Sequence, residues 1–294
     1  MESLLKVKHL TKKLKKFKVD DISFSLYKGR ILGFVGENGA GKTTTIKMLL
    51  NAIEKTSGDV KFWGMDYQKD EVTIKSRIGY VPAEDYFVAR SSLIQHAEAI
   101  KIFYENWDEK LFNALCKTWR LPLQRKIYNY STGMKTKAML ALALAHRPDI
   151  LILDEPTAGL DPLARIEVLD ILQRFVQNGE RAVFFSTHII SDLEKIADDI
   201  MIMHDGRIID SFPINKLNEK YALVKGDLID LEKKQTNFIG INKYEDTFEG
   251  VMLRHEAEEL FEGKNLYNVT IELLLIHSIR RDRDEESEEI IKSL

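Results

Sequence analysis

Apolar residues fall into two kinds of pattern along this chain. In three places they run on without a polar break: Ile31-Leu32-Gly33-Phe34-Val35, Ile150-Leu151-Ile152-Leu153 and Ala182-Val183-Phe184-Phe185. Such runs predict strands buried on both faces, the habit of a parallel sheet. Elsewhere apolar and polar residues alternate. Leu5-Lys6-Val7-Lys8-His9-Leu10 and Ile22-Ser23-Phe24-Ser25-Leu26, ahead of the Tyr27-Lys28-Gly29-Arg30 turn, predict half-buried strands. Gly58–Gly64 and Arg77–Pro82 read as two further strands of a sheet. From Ser92 to Ala145 a helical period takes over. Leu93, Ala97, Ile100 and Phe103-Tyr104 follow it, as do Leu111, Leu115 and Trp119, and then Met139, Leu142 and Ala145. Pro122 and the polar run Tyr128–Gly133 interrupt these helices, whose aromatics are assigned to core packing rather than ligand contact. Further on, Phe238–Tyr244 and Phe248–Leu253 predict a hairpin, Thr270 a helix cap before Ile271–Ile276, and Arg280–Glu286 a mixed-charge helix or tail.

The residues after each uninterrupted run carry the chemistry. The first run leads into Gly36-Glu37-Asn38-Gly39-Ala40-Gly41-Lys42-Thr43, the pattern GxxxxGK[ST], and then into Thr44–Leu50 with helical spacing. Strand, glycine loop and helix together are the setting in which that pattern means phosphate binding. Glycines let backbone N–H groups wrap a triphosphate, and the helix N-terminus adds positive potential. Lys42 reaches the outer phosphates, and the Thr43 hydroxyl suits Mg²⁺. Four constrained positions match by chance in about one chain per hundred of this length. The second run ends in Asp154-Glu155, at the strand edge where open α/β sheets bind ligands. Asp154 is placed to hold Mg²⁺, and Glu155 to orient or deprotonate an attacking water. An acid pair alone also fits a helix-capping turn; the phosphate loop in the same chain favours the functional role. The third run, extended by Ser186-Thr187, delivers His188 to the same edge, in reach of a γ-phosphate rather than as a simple polar cap. Phe17 has two readings, a ring stacked on adenine or a core residue. The lysines at 12, 13, 15, 16 and 18 fit a solvated turn better than a contact with an anionic surface.

Composition narrows the class. A chain of 294 residues, 44% hydrophobic and 30% charged, accommodates one large domain and a smaller one. Its net charge of −3 makes no overall case for nucleic acid. One cysteine, Cys116, excludes an internal disulfide framework, suits a reducing compartment and falls in a helical pattern as a structural residue. No apolar stretch approaches the ~18 residues that span a bilayer. Met1-Glu2-Ser3-Leu4-Leu5-Lys6 lacks a signal-peptide pattern, so any membrane crossing is expected of another chain.

In order and spacing, these landmarks resemble the nucleotide-binding subunit of an ATP-binding-cassette (ABC) transporter over roughly residues 4–212. The most specific piece is Tyr130-Ser131-Thr132-Gly133-Met134, which looks like the family's signature motif in its YSxGM form. Asp154-Glu155-Pro156-Thr157-Ala158-Gly159-Leu160-Asp161-Pro162 resembles the magnesium-binding strand end and D-loop, His188 the switch histidine, and Asp205-Gly206-Arg207-Ile208 the turn that closes the cassette.

The resemblance implies an α/β fold. Its parts would be a P-loop NTPase (RecA-like) core, an antiparallel β subdomain and a helical subdomain over about 84–146, all within residues 1–212, and a small α+β extension over 213–294. It implies ATP and Mg²⁺ as cofactors, with Gly36, Glu37, Asn38, Gly39, Ala40, Gly41, Lys42, Thr43, Thr44 and Phe17 at the nucleotide and Thr43 and Asp154 at the metal. Glu155 would polarise the water, with His188 and the phosphate clamp Lys42 completing the catalytic set. Two cassettes would pair head to tail, as a homodimer or related heterodimer, with Ser131 and Gly133 capping the ATP of the opposite subunit. Separate transmembrane permeases would hold the cargo, placing this chain peripherally at the cytoplasmic face of the membrane, without nucleic acid. The YSxGM form and the C-terminal region resemble exporters of drugs, lantibiotics and peptides, which favours export over import.

Two positions depart from the family pattern. Val81-Pro82 is followed by Ala83-Glu84 where a glutamine is common, so either Glu84 substitutes for it or this coupling loop lacks that contact. The upstream aromatic aligns with Leu14, three residues before Phe17. Two other readings compete. A soluble ABC ATPase acting on DNA or ribosomes typically carries two cassettes or a long coiled coil, and neither is seen here. A non-hydrolysing module is disfavoured by the complete set Lys42, Asp154, Glu155 and His188.

Overall fold

Alternating and uninterrupted patterns sort into different sheets in the computed structural model, which describes residues 2–231, 238–262 and 264–279. Strands β1 (Ser3–Lys13) and β2 (Lys18–Tyr27) pair antiparallel. The chain then enters β3 (Ile31–Val35) and helix α1 (Lys42–Leu49), and returns as β4 (Ser57–Phe62) on the other edge of β1. The order β2-β1-β4 is a three-stranded antiparallel sheet. Helix α2 (Tyr67–Ser76) leads to β5 (Ile78–Val81), followed by the helical region α3 (Leu93–Lys101), α4 (Glu109–Thr118) and α5 (Thr132–Ala145). The sheet resumes with β6 (Ile150–Asp154), α6 (Pro162–Val176), β7 (Ala182–Thr187), α7 (Ile190–Ile196), β8 (Asp199–His204) and β9 (Arg207–Pro213).

The six-stranded sheet has the order β5-β6-β7-β3-β8-β9, and every pair from β5 to β8 is parallel. All residues of β3, β6 and β7 are buried, as continuous apolar runs require. The register sets Asp154 beside Ser186 and Val35 beside Thr187, so the ends of all three strands open on one edge. The antiparallel sheet packs on this one through Phe24 of β2, stacked on Phe184 of β7 at 5.6 Å. Phe184 also meets Phe34 at 5.2 Å, and truncating so buried a ring costs about 3–5 kcal/mol. Side chains cap two helix starts in the helical region. Asp108 accepts from Leu111 N at 2.8 Å, and Ser92 and Gln95 form a capping box.

Several expectations are corrected. The lysine-dense piece is not one turn: Lys12 and Lys13 close β1 and Lys18 opens β2, leaving Lys15 and Lys16 between them. The strands read at Gly58–Gly64 and Arg77–Pro82 belong to different sheets. Phe103 is not core; it lies beyond the end of α3 and is 75% exposed. Cys116 is buried, and burial pushes its thiol up to about 12, which makes it inert.

The chain divides into two compact units, the first ending at Ser211 and the second beginning at Phe212. In the second, β10 (Tyr221–Asp227), β11 (Phe238–Lys243), β12 (Thr247–Leu253) and β13 (Leu266–Tyr267) form an antiparallel sheet in the order β11-β12-β10-β13. The hairpin is the one its alternation predicts, while β10 was not read from the sequence. Thr270 caps a helix over 271–279, its Oγ1 accepting from Leu273 N at 3.1 Å. That helix lies so close to β11 that a Cβ on Gly240 would meet His277 O at 2.3 Å. The Arg280–Glu286 segment lies outside the described residues. No helix among the described residues is long and apolar enough to cross a membrane.

Candidate functional site

The turn from β3 into α1 is built on backbone conformations that a side chain resists. Gly41 precedes the helix at φ 111°, and a Cβ there would strike Met203 Cε at 2.7 Å and Phe17 Cζ at 3.0 Å. Gly39 has φ +87° with open space where a Cβ would stand, so backbone geometry rather than crowding calls for glycine. Asn38 and Gly39 are exposed at the crest, and Lys42 is buried beneath it. Its Nζ donates to Gly36 O at 2.7 Å and Glu37 O at 3.1 Å, and lies 3.5 Å from Glu155 Oε1.

Thr43, one residue on, donates from Oγ1 to Asp154 Oδ2 at 2.7 Å. Ser186 donates from its hydroxyl to Asp154 Oδ1 at 3.0 Å. Asp154 is 1% exposed. Burial raises its carboxyl above the ordinary value; the Thr43 and Ser186 hydrogen bonds pull the other way, and neighbouring Glu155 adds to the rise. Among the described residues no group of three or more His, Cys, Asp or Glu could hold a metal. One hydroxyl and one buried carboxylate nevertheless fit Mg²⁺, which is commonly held by few protein oxygens together with phosphates and waters.

Glu155 has left-handed backbone, φ 51°, held by its N–H donating to Ser186 O at 2.8 Å. That conformation costs a non-glycine residue about 1–2 kcal/mol. It turns the carboxylate back toward the end of β7. There Oε2 accepts from Thr187 Oγ1 at 3.1 Å and His188 N at 3.2 Å, and lies 2.8 Å from His188 Nδ1.

Lys42, Thr43, Asp154, Glu155 and His188 thus meet in one network at the sheet edge. Phe17 touches the loop at Gly41 and also packs, half-buried, against the core, so both readings of it remain compatible with its place. Ser131 and Gly133 are not drawn into this network. Ser131 caps α5, its Oγ accepting from Met134 N at 3.2 Å, and a Cβ on Gly133 would face Ala164 and Leu160 at 3.6 and 3.7 Å. Glu84 is exposed, and its neighbour Asp85 pairs with Lys135 of α5 at 3.0 Å. Sequence reasoning missed Ser186 and Thr187 as the partners of the two acids. The only available signal was their place at the end of an apolar run destined to lie beside β6.

Comparison with known proteins agrees with this geometry. The family model described as ABC transporter matches residues 19–158. The chain is 34% identical over 229 residues to the bacitracin transport ATP-binding protein BcrA of Bacillus licheniformis, covering 75% of this chain and 74% of that one. It is 30% identical to the uncharacterized ABC transporter ATP-binding protein YhcH of Bacillus subtilis, covering 95% of this chain and 90% of that one. A solved structure described as the ATP binding subunit of an ABC transporter superposes with a TM-score of 0.68 at 28% identity, over 74% of this chain and 92% of the other.

Proposed function

The chain belongs to the ABC transporter family as an ATP-binding subunit, an ATPase coupled to transport, and from that premise we propose how its residues divide the work. Residues 1–212 are the ATPase cassette and 213–294 an accessory region. The observation that carries the assignment is the convergence of Lys42, Thr43, Asp154, Glu155 and His188, each within 3.5 Å of another, from three neighbouring strand ends.

The loop from Gly36 to Thr44 and Phe17 hold ATP. The Lys42 ammonium, bound here to two carbonyls of its own loop, is close enough to exchange them for phosphate oxygens. Thr43 and Asp154 would hold Mg²⁺, which would supply charge neutralisation at the phosphates when bound. Glu155 takes a proton from the attacking water, and His188, which contacts that carboxylate here, turns to the γ-phosphate when nucleotide binds. Ser131 and Gly133 stand at the start of α5 and cap the nucleotide of a second cassette, so ATP favours the closed pair and hydrolysis reopens it. The pair, homodimer or heterodimer, drives separate transmembrane permeases from the cytoplasmic face of the membrane, with no nucleic acid involved. Likeness to a bacitracin transport protein favours export of a drug or peptide-like cargo.

Glu155→Gln tests the reading. It should lower turnover by about 10²–10⁴-fold, the range for loss of a general base, and accumulate an ATP-bound pair on a sizing column. A variant that stays monomeric with Mg²⁺ and ATP counts against head-to-tail pairing. Undiminished turnover counts against Glu155 as the base.

A further inference from the structure

We infer that Thr187 is a positioning residue for hydrolysis, its hydroxyl fixing the carboxylate plane of Glu155 so that one oxygen is anchored and the other meets the water. The inference rests on Glu155 being the base.

A glutamate carboxylate turns broadly about its last torsion, so rotamer preference alone does not set its plane. Hydrogen bonds must do so, and they are distributed unequally here. Oε2 faces three donors at the end of β7: the Thr187 hydroxyl at 3.1 Å, His188 N at 3.2 Å and His188 Nδ1 at 2.8 Å. Oε1 faces the phosphate loop, with the Lys42 ammonium at 3.5 Å.

Thr187 differs from the histidine contacts in having a determined direction. Its side chain is fully buried and its Oγ1 accepts the Ile189 N–H at 3.0 Å. An ionised carboxylate has no proton to give, so the single hydroxyl proton of Thr187 must point at Oε2. The rotor is held from both sides. His188 stands half-exposed and has to move if it is to engage a phosphate, whereas Thr187 lies within β7 and stays. Thr187 is therefore the anchor that persists when the histidine turns to substrate. Ser186 makes the corresponding contact one residue earlier, to Asp154, so consecutive hydroxyls of β7 hold the consecutive acids at and just beyond the end of β6.

The test compares Thr187→Val, which keeps the shape and loses the proton, with Thr187→Ser, which keeps both hydrogen bonds. Mg²⁺-ATP turnover is measured on the full chain with the membrane proteins that purify with it. Thr187→Val should lower kcat at least about tenfold with KM for ATP changed less than about twofold, as expected when orientation rather than binding is lost. Thr187→Ser should recover most of the rate, and Thr187→Val added to Glu155→Gln should lower single-turnover hydrolysis no further. Thr187→Ala against Thr187→Ser makes the same comparison should the valine variant not fold. Thr187→Val at the wild-type rate, with Glu155→Gln inactive, overturns this inference and leaves the base assignment intact. Serine no better than valine, or a further loss on the Glu155→Gln background, overturns it also. Glu155→Gln at the wild-type rate overturns both.

Discussion

The Thr43 hydroxyl donates to Oδ2 of Asp154 over 2.7 Å, although 111 positions separate the two residues in sequence. The contact exists because β3 and β6 flank β7 on its two sides, in parallel and in register. One strand starts the phosphate loop and the other ends in acids, so their neighbourhood brings a hydroxyl and a buried carboxylate together from parts distant in sequence.

Asp154 should therefore trade stability for function. Its carboxylate is buried, and burial disfavours the charged form that Mg²⁺ needs. Asp154→Asn keeps an oxygen for Thr43 and removes the charge. We expect its melting temperature to rise by about 3 °C while Mg²⁺-dependent hydrolysis falls at least about 100-fold. Chelating divalent ions in the wild type should abolish hydrolysis in the same way. Calorimetry beside an ATPase assay decides, and a lower melting temperature in the variant would show that the buried charge is well compensated.

Phe17 can be assigned by separating affinity from stability. Its ring reaches Gly41 and also packs on the core. A base stacked on an aromatic ring is worth about 1–3 kcal/mol, so Phe17→Ala should raise KM for ATP about tenfold and Phe17→Tyr should restore it. A fall in melting temperature with KM unmoved would make Phe17 a core residue only.

His146 should give the chain an acid-sensitive fold. It caps α5 while 3% exposed, its Nε2 3.2 Å from Ile78 O and its ring stacked on Tyr104 at 4.0 Å. Burial lowers its pKa below the ordinary 6.5, with backbone carbonyls of Ile78 and Leu142 opposing. Above that value the ring is neutral in both states and stability does not depend on it. Below it the unfolded chain takes up a proton that the folded chain resists, so stability falls as pH falls. Between about pH 7.5 and 5.5 the wild type should lose about 2 °C more in melting temperature than His146→Gln. Equal losses would place the acid sensitivity elsewhere.

Legibility in the sequence followed burial. β3, β6 and β7 were readable because both faces are buried and the apolar run is unbroken. Helix α2 was not, since Ile74 is its one buried residue and no amphipathic stripe arises. Phe103 misled because helical spacing was extended past the point where α3 ends. At the site, Lys42, Thr43, Asp154, Glu155 and His188 were named because each stands in or directly beyond a recognisable run. Ser186 and Thr187 were overlooked because what they hold depends on strand register, which one strand's sequence does not encode. β10 escaped for a related reason, since its partner β12 lies across an intervening strand.

The exposed apolar residues of the helical region yield the prediction with the widest reach. Ile102 and Phe103 follow α3 and are 74% and 75% exposed, and Val88 is 62% exposed. Val88 is tied to the same helix, its N–H donating to His96 Nε2 at 2.9 Å. Under the proposed function the permease is expected to cover these three side chains. Burying one such side chain is worth about 1.5–3 kcal/mol, so Ile102→Ser with Phe103→Ser should weaken the assembly at least about tenfold. Neither residue touches the phosphate loop, so ATP turnover of the isolated chain should stay within about twofold of wild type. Affinity capture from native membranes, read by mass spectrometry, should return one or two polytopic membrane proteins with the wild type and far less with the variant. Equal recovery would move the docking surface elsewhere on the chain. Ribosomal proteins or DNA in place of any membrane protein would overturn the transport role and favour an ABC ATPase that works away from the membrane.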